Sequence, residues 1–355
     1  MTLAADTYLD SGRPEAEVED LLRRAPVFQP LHTVSALKAL AKSTGGDPRW
    51  LVLQIASQPA AVMLFQEREY GGLRVAYSRG RYGFLGTVFL IQPTQALVEV
   101  VVQHLQNYAK SQDLDCITLS FDPIAAKEIN PQWLGSVDVC DQVDIFLCDL
   151  DDVFEGEDDF NFQGYERFNS NLRRNLKKGL TNGYQVEQTF EWNDLELWHE
   201  QCHLPRMREL DGRVWSLDFL NNLTEGIDWS LYMVKDGNGD VAGGCLAFLT
   251  KDVTEIFMMS TPNHHLQKGA HFVLTDHIYR ETRKRGAKYV NWQSSNPPDG
   301  GIANFKLQWK ARMVPVWTVT ILRNKEKMRR FSPAELMDGF DECFVIPFAW
   351  FKEAG

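Results

Sequence analysis

Four clusters in this 355-residue chain hold side chains whose types and spacing could do chemistry. The first is Asn171-Leu172-Arg173-Arg174-Asn175-Leu176-Lys177-Lys178. On a helix Arg173 and Lys177 share a face, as do Arg174 and Lys178, so four cations form one patch. Cations favour helix C-termini for the dipole's sake alone, yet in a chain of net charge -11 such a patch also suits phosphate binding. The second is His264-His265 followed by Gln267-Lys268-Gly269-Ala270, leading into a helix from about Gly269 to Arg285. Adjacent histidines seldom share one ion and no third ligand is evident, so the expectation is two solvent-exposed loop histidines and no metal. The free N–H groups at the helix start offer a seat for a phosphate or carboxylate. The third is Phe305-Lys306, in a Pro/Gly-rich loop after the strand Lys288–Gln293 that carries Trp292. Lys306 there is either a surface lysine beside a buried phenylalanine or a stabiliser of negative charge on an acyl oxygen. The fourth, Arg206, Arg208, Glu209, Asp211 and Arg213, either recognises a polar substrate or makes ion pairs, the second being slightly favoured.

Other chemistries have nothing to stand on. The chain has no G-x-S-x-G elbow, P-loop, or G-x-G-x-x-G after a strand. Its acidic balance argues against a protein that coats DNA. The six cysteines, at 116, 140, 148, 202, 245 and 343, are scattered through mostly apolar runs and are expected to be reduced. The acidic N-terminus lacks a basic-then-apolar signal pattern, and no apolar run approaches the length that spans a bilayer. The expectation is a cytoplasmic protein with a hydrophobic content of 44%, large enough for two domains.

The elements that must position these clusters follow from periodicity. Glu15–Arg24 and Thr33–Lys42 read as helices of an N-terminal arm, residues 1–45. Runs at 50–57, 60–67, 73–78 and 85–91, separated by turn residues, read as an antiparallel meander. A helix from Pro93-Thr94 to Lys110 and strands at 116–121 and 143–147 complete a first domain, 46–150. An acidic linker, 151–164, follows as a solvated charge run. In the second domain, 165–325, a helix at 165–178 is closed by Gly179, and Asn193 with Glu196 reads as a capping box. A hairpin surrounds Asp236-Gly237-Asn238-Gly239-Asp240. The strand Thr254–Ser260, the helix and strand already named, and the run Pro315–Leu322 complete that domain. Residues 326–355 form a C-terminal helix, capped by Ser332-Pro333-Ala334-Glu335, and a tail. Both halves repeat one order of elements, which a duplicated α/β unit explains more simply than one irregular domain.

At this point a family resemblance emerges. Val143 to Leu150, then Asn171 to Lys178, then Gly183-Tyr184-Gln185-Val186-Glu187 resemble the x-x-D-L strand, basic R-R-N-x-K-K helix and G-x-x-V-E strand of the FemAB-type peptidyltransferases. The strand at 286–293 and Phe305-Lys306 look like that family's closing segment. The resemblance implies an α/β (α+β) fold of two tandem GNAT-like domains, each a mixed, mostly antiparallel sheet flanked by helices, with the active cleft in or beside the second. It implies N-acyl transfer from aminoacyl-tRNA or acyl-CoA to an amine on a small molecule or peptide, with no tightly bound cofactor. Gln267-Lys268-Gly269-Ala270 is similar to a Q-x-x-G-x-A pyrophosphate loop with shorter spacing. On this basis Arg173, Arg174, Lys177 and Lys178 meet donor phosphates, with Gln267, Lys268 and Gly269 as the loop beside them; apart from the resemblance, Arg208, Asp211 and Trp292 are the candidates to meet substrate. Phe305 and Lys306 sit at the reaction, Lys306 as stabiliser of the transition state. The base is Asp276, His265 or a group of the substrate itself, and the sequence does not choose. The rival class is a non-catalytic binding protein on the same duplicated scaffold.

Overall fold

Apolar runs with turn residues between them give strands, and amphipathic stripes give helices that cover one sheet face. The computed structural model describes residues 7–80, 83–125, 129–135, 137–154, 168–212, 214–295 and 300–340. In chain order the elements begin with β1 (Thr7–Asp10), α1 (Glu15–Arg23), α2 (Val34–Thr44), β2 (Asp47–Ile55), β3 (Gln58–Tyr70) and β4 (Leu73–Tyr77). A small ribbon of β5 (Arg79–Gly80) and β6 (Gly83–Phe84) precedes β7 (Thr87–Phe89), α3 (Gln95–Ser111), β8 (Cys116–Ser120) and β9 (Val139–Asp149). Next come α4 (Ser170–Thr181), β10 (Gln185–Thr189), α5 (Trp192–Trp198), α6 (Leu204–Glu209), α7 (Leu217–Thr224), β11 (Trp229–Lys235), β12 (Val241–Leu249) and β13 (Val253–Ser260). The last are α8 (Asn263–Leu266), α9 (Ala270–Lys284), β14 (Tyr289–Ser294), α10 (Gly301–Gln308), β15 (Arg312–Leu322), α11 (Lys325–Met328) and α12 (Pro333–Gly339).

The chain divides into two units, one formed by Met1–Asp144 with Val314–Gly355 and the other by Ile145–Met313. In the first, neighbouring strands run β1-β2-β3-β4-β8-β15, with β7 also on β3. In the second they run β9-β14-β13-β12-β11-β10. Each unit has one parallel pair, β4 with β8 and β13 with β14, and a long helix, α3 or α9, lies on the connection that joins its two strands. The run expected to close the second domain returns to the first instead, where Thr318 to Leu322 pair with Ser120 to Cys116. Strand order along the chain cannot reveal such a return.

The parallel pairs differ in what lies beyond their last paired residues. In the first unit Val75, Ala76 and Tyr77 pair with Cys116, Ile117 and Thr118. Beyond them β8 still has partners. Ser120 N–H donates to Ser78 Oγ at 2.8 Å, and Asp122 N–H donates to the carbonyl of Thr87 at 2.9 Å. The segment Gly86–Phe89 lies where the pair would open, because β7 pairs with β3 at Ala61–Met63 and Gly86 accepts from Leu64 N–H at 2.9 Å. Gly86 has φ +144, and a Cβ there would fall on the carbonyl oxygen of Ser120.

Each unit has its own apolar core. In the first it is built on Phe65, Phe89, Leu105 and Phe121, and in the second on Phe146, Phe272, Tyr279, Trp292 and Trp309. The Ser332 capping box is present, with Glu335 closing it. Among the described residues all five cysteines are free and four are buried, while Cys343, the acidic run 155–159 and Arg213 lie outside them. No helix of the described residues is long and apolar enough to cross a membrane.

Candidate active site

In the second unit the parallel pair opens. β13 and β14 are paired through Val253–Tyr289, Thr254–Val290 and Glu255–Asn291 only. On the β12 side the register slips at Phe257, between Leu246–Met258 and Ala247–Ile256. On the far side β14 shifts register against β9 between Asn291 and Ser294. A bulge of this kind bends a strand, and with both strands bent the edge of β13 from Ile256 to Ser260 is left unpaired towards β14.

The end of β14 is held by Lys306. Expected in a loop, Phe305 and Lys306 lie on α10, and Lys306 is only 6% exposed. Its ammonium donates to the carbonyls of Trp292 (2.7 Å), Gln293 (3.2 Å) and Ser294 (2.9 Å) and lies 5.1 Å from the ring centre of Phe146. Burial draws this group down to about 7, while three acceptors call for the three N–H donors of the charged form. Those three donors hold the end of β14. Phe305 packs edge-on to Trp292 and Phe272 at 5.8 and 5.3 Å between ring centres. Trp292 itself is 4% exposed and donates from Nε1 to Tyr279 at 2.8 Å, which makes it a wall residue.

The cationic helix meets the start of α9. Asn169 caps α4 by accepting from Leu172 N–H at 2.8 Å, and the helix runs through Gly179 to Thr181. Gly179, expected to end the helix, is instead a contact point. A Cβ there would come 2.6 Å from the carbonyl oxygen of Gly269 and 2.6 Å from Val273 Cγ2. Gly269 has φ +91 and precedes the first turn of α9, and Asn182 Nδ2 donates to the carbonyl of Lys268 at 2.9 Å. α4 is thus docked on the start of α9 through Asn175, Gly179 and Asn182, and Arg173, Arg174, Lys177, Lys178, Gln267 and Lys268 are all exposed. Among the described residues Arg173, Lys177 and Lys178 form no ion pair.

The remaining candidates are not brought to Lys306. His265, expected exposed, is 9% exposed on α8, its Nδ1 2.7 Å from Tyr184 OH. Asp276 pairs with Arg280 at 2.9 Å along α9. Arg206 pairs with Glu209 at 2.8 Å, whereas Arg208 and Asp211 are exposed, and no hydrogen bond joins them to the Lys306 cluster. The expected Asn193 box is absent: Glu196 accepts from Trp192 Nε1 at 2.8 Å and α5 has no side-chain cap.

No family model matches the sequence, and no curated protein does either. Solved structures do match. FemX is similar over 92% of this chain and 99% of its own, with a TM-score of 0.71 at 11% identity. The chain has the fold of FemX. A conserved protein of unknown function from Bacteroides thetaiotaomicron is similar over 86% of this chain and 96% of its own, with a TM-score of 0.58 at 9% identity. The C-terminal domain of a putative lysylphosphatidylglycerol synthetase from Agrobacterium fabrum covers 91% of this chain, and 97% of that domain is matched, with a TM-score of 0.54 at 12% identity. At such identities the likeness is one of fold.

Within the FemX-like second unit the opening has residues that sequence reasoning missed. Glu255 on β13 is 3% exposed, and Gln293 Nε2 donates to it. Burial pushes this carboxyl up to about 8, with the Gln293 bond pulling the other way. A lone acid inside the apolar run Thr254–Ser260 was the available signal. His271, in the first turn of α9, packs on Phe305 at 5.0 Å between ring centres, and burial pulls it down to about 4. A five-residue π-helix, His199–His203, sits between α5 and α6, with His203 Nδ1 3.0 Å from Ser260 Oγ at the end of β13.

Proposed function

We propose that the second unit moves an acyl or aminoacyl group from a phosphate-bearing carrier, aminoacyl-tRNA or acyl-CoA, to an amine on a small molecule or peptide. The observation that carries this reading is the parting of β13 and β14 after Glu255 and Asn291, beside a cationic helix docked on the start of α9. A carbonyl already activated by its carrier needs positioning, a partner for its developing oxyanion and removal of one proton. The unpaired edge of β13 supplies backbone N–H groups for an extended donor arm and for the oxyanion. Arg173, Arg174, Lys177, Lys178, Gln267, Lys268 and the first N–H groups of α9 hold the donor phosphates. Arg208 and Asp211, which are exposed, are left to the acceptor. The donor is consumed as a substrate, so no cofactor needs to stay bound.

The test is thermal stability of the full chain with acetyl-CoA, coenzyme A, uncharged tRNA and a UDP-sugar precursor. A ligand at ~100 times its dissociation constant adds about 2.7 kcal/mol, enough to move Tm visibly. A shift with coenzyme A marks an acyl-CoA enzyme, and a shift with tRNA an aminoacyl transferase. No shift with any carrier would overturn this reading in favour of a non-catalytic binding protein.

A further inference from the structure

His199-Glu200-Gln201-Cys202-His203 has the H-E-x-x-H spacing, a signal that sequence reasoning missed. Histidines four residues apart on a helix stand on one face. Here the five residues form the π-helix between α5 and α6, a turn that is rare and frequently marks a functional site. His199 and His203 are 4% and 3% exposed. Their ring centres lie 5.2 Å apart, with the planes tilted by 35°. Trp198 packs on the pair, 5.6 Å from His203 between ring centres.

Each ring has one nitrogen tied and the other open. His199 Nε2 lies 2.8 Å from the carbonyl of Trp215. A carbonyl only accepts, so Nε2 carries the proton and Nδ1 the lone pair. His203 Nδ1 lies 3.0 Å from Ser260 Oγ, and with its N–H donated to that hydroxyl the lone pair sits on Nε2. His199 Nδ1 and His203 Nε2 are buried with no hydrogen-bond partner among the described residues. Two lone pairs cannot bond to one another, so the pair asks for a cation or for a bridging donor. A ring that gives one N–H to a backbone carbonyl and keeps its other nitrogen open is oriented as a metal ligand is. Imidazole nitrogens at about 2.0–2.1 Å from one tetrahedral ion put their ring centres about 5 Å apart, which matches the separation of this pair. Cys202 does not join them, because its Sγ turns to the carbonyl of Val241 at 3.9 Å. Glu200 is exposed, so the glutamate that serves metalloproteases as base is not enclosed with the two rings.

We propose that His199 Nδ1 and His203 Nε2 bind one divalent transition-metal ion of the zinc class. Imidazole suits zinc, copper or nickel, whereas magnesium and calcium take oxygen ligands. Among the described residues no group of three His, Cys, Asp or Glu stands ready to hold an ion, so water or a small anion fills the positions that the two rings leave. The ion fastens the π-helix in two directions, through His203 to Ser260 at the end of β13 and through His199 to Trp215 before α7. The site stands apart from the transfer reaction proposed above, and neither depends on the other.

The test is a titration of the metal-stripped full chain with Zn²⁺ against a chromophoric chelator, with Tm read before and after saturation. One ion per chain and a raised Tm are the expected results. His203→Gln and His199→Gln should each abolish that binding. Both positions are buried, so Ser260→Ala, which leaves the two rings in place, keeps the test decisive if those variants do not fold. It removes only the group that orients His203, and the affinity for Zn²⁺ should fall about 10–100-fold. His264→Ala, at an exposed histidine outside the pair, should bind as wild type does. Absence of binding by wild type overturns the proposal and leaves a bridging water as the partner of the two nitrogens. Undiminished affinity in Ser260→Ala, or full binding by a folded His203→Gln, overturns it as well. Loss of the ion in His264→Ala would move the site to another cluster and overturn the assignment to His199 and His203.

Discussion

Replacing Gly179 by alanine tests whether the α4–α9 contact builds the donor site. The new Cβ would lie 2.6 Å from both the Gly269 carbonyl oxygen and Val273 Cγ2, where carbon contacts are comfortable at about 3.5–4.0 Å. Relief requires the two helices to separate by roughly 1 Å. Two effects oppose each other. Alanine improves on glycine within a helix by about 1 kcal/mol. Overpacking a tight contact costs about 1–3 kcal/mol. The nearest atoms include backbone, and Gly269 is fixed in a left-handed turn with φ +91, so no rotamer change absorbs the clash. Overpacking should win by about 1–2 kcal/mol, lowering Tm by about 2–4 °C per kcal/mol. All four cations of α4 survive the substitution, yet they move relative to the first N–H groups of α9, so donor affinity should fall about tenfold with kcat little changed. Calorimetry and donor titration read both effects. A variant more stable than wild type with unaltered donor affinity would refute the contact as the organiser of the site.

Charge reversal of Arg173 and Lys177 together should weaken the donor by more than tenfold and flatten the dependence of its affinity on salt, which a titration at several ionic strengths measures. Stability should depend on pH through several buried groups, among them His203 and Glu255, which act with opposite signs. His203 is drawn from 6.5 to about 4 by burial and by the neighbouring His199. Its contribution is complete above 6.5 and is lost as pH falls towards 4, by about 3 kcal/mol. Glu255 is raised from 4.5 to about 8, so stability is lost as pH rises through that interval, and Glu255→Gln should reduce this loss in denaturant titrations, leaving the share of buried Asp122, which is raised to about 7.

The fold was largely legible because its signals are local. The meander, the amphipathic α3 and α9, and the hairpin at 236–240 each declare themselves within a short window. The cationic patch was legible for the same reason, since i,i+4 spacing on one helix needs no tertiary knowledge. What escaped depends on distant partners. Gly179 looks like a helix stop until Gly269 is placed beside it. Lys306 reads as a cation in a loop, and only the folded chain shows the three carbonyls of β14 around it. Glu255 looks like one acid in a strand, and the amide of Gln293 that answers it comes from the neighbouring strand. Asn193 and Glu196 have the spacing of a cap, but Trp192 takes the glutamate.

The two units carry the same parallel pair in opposite states, which yields a control that separates their roles. In the first, Gly86 allows β7 to lie against β8, and φ +144 with the Ser120 carbonyl in the way leaves no room for a side chain. Gly86→Ala should therefore push β7 off β8 and destabilise the first unit by about 1–3 kcal/mol from overpacking, with backbone strain added. The donor should not notice, because the unpaired edge and the cations belong to Ile145–Met313. Hydrogen exchange would show faster opening at Thr87–Phe89 and Cys116–Ser120, with exchange at Thr254–Ser260 unchanged. Donor affinity equal to wild type in the folded variant is the expected result. A fall in donor affinity in that variant would assign the donor to the first unit and overturn the assignment built on β13 and β14.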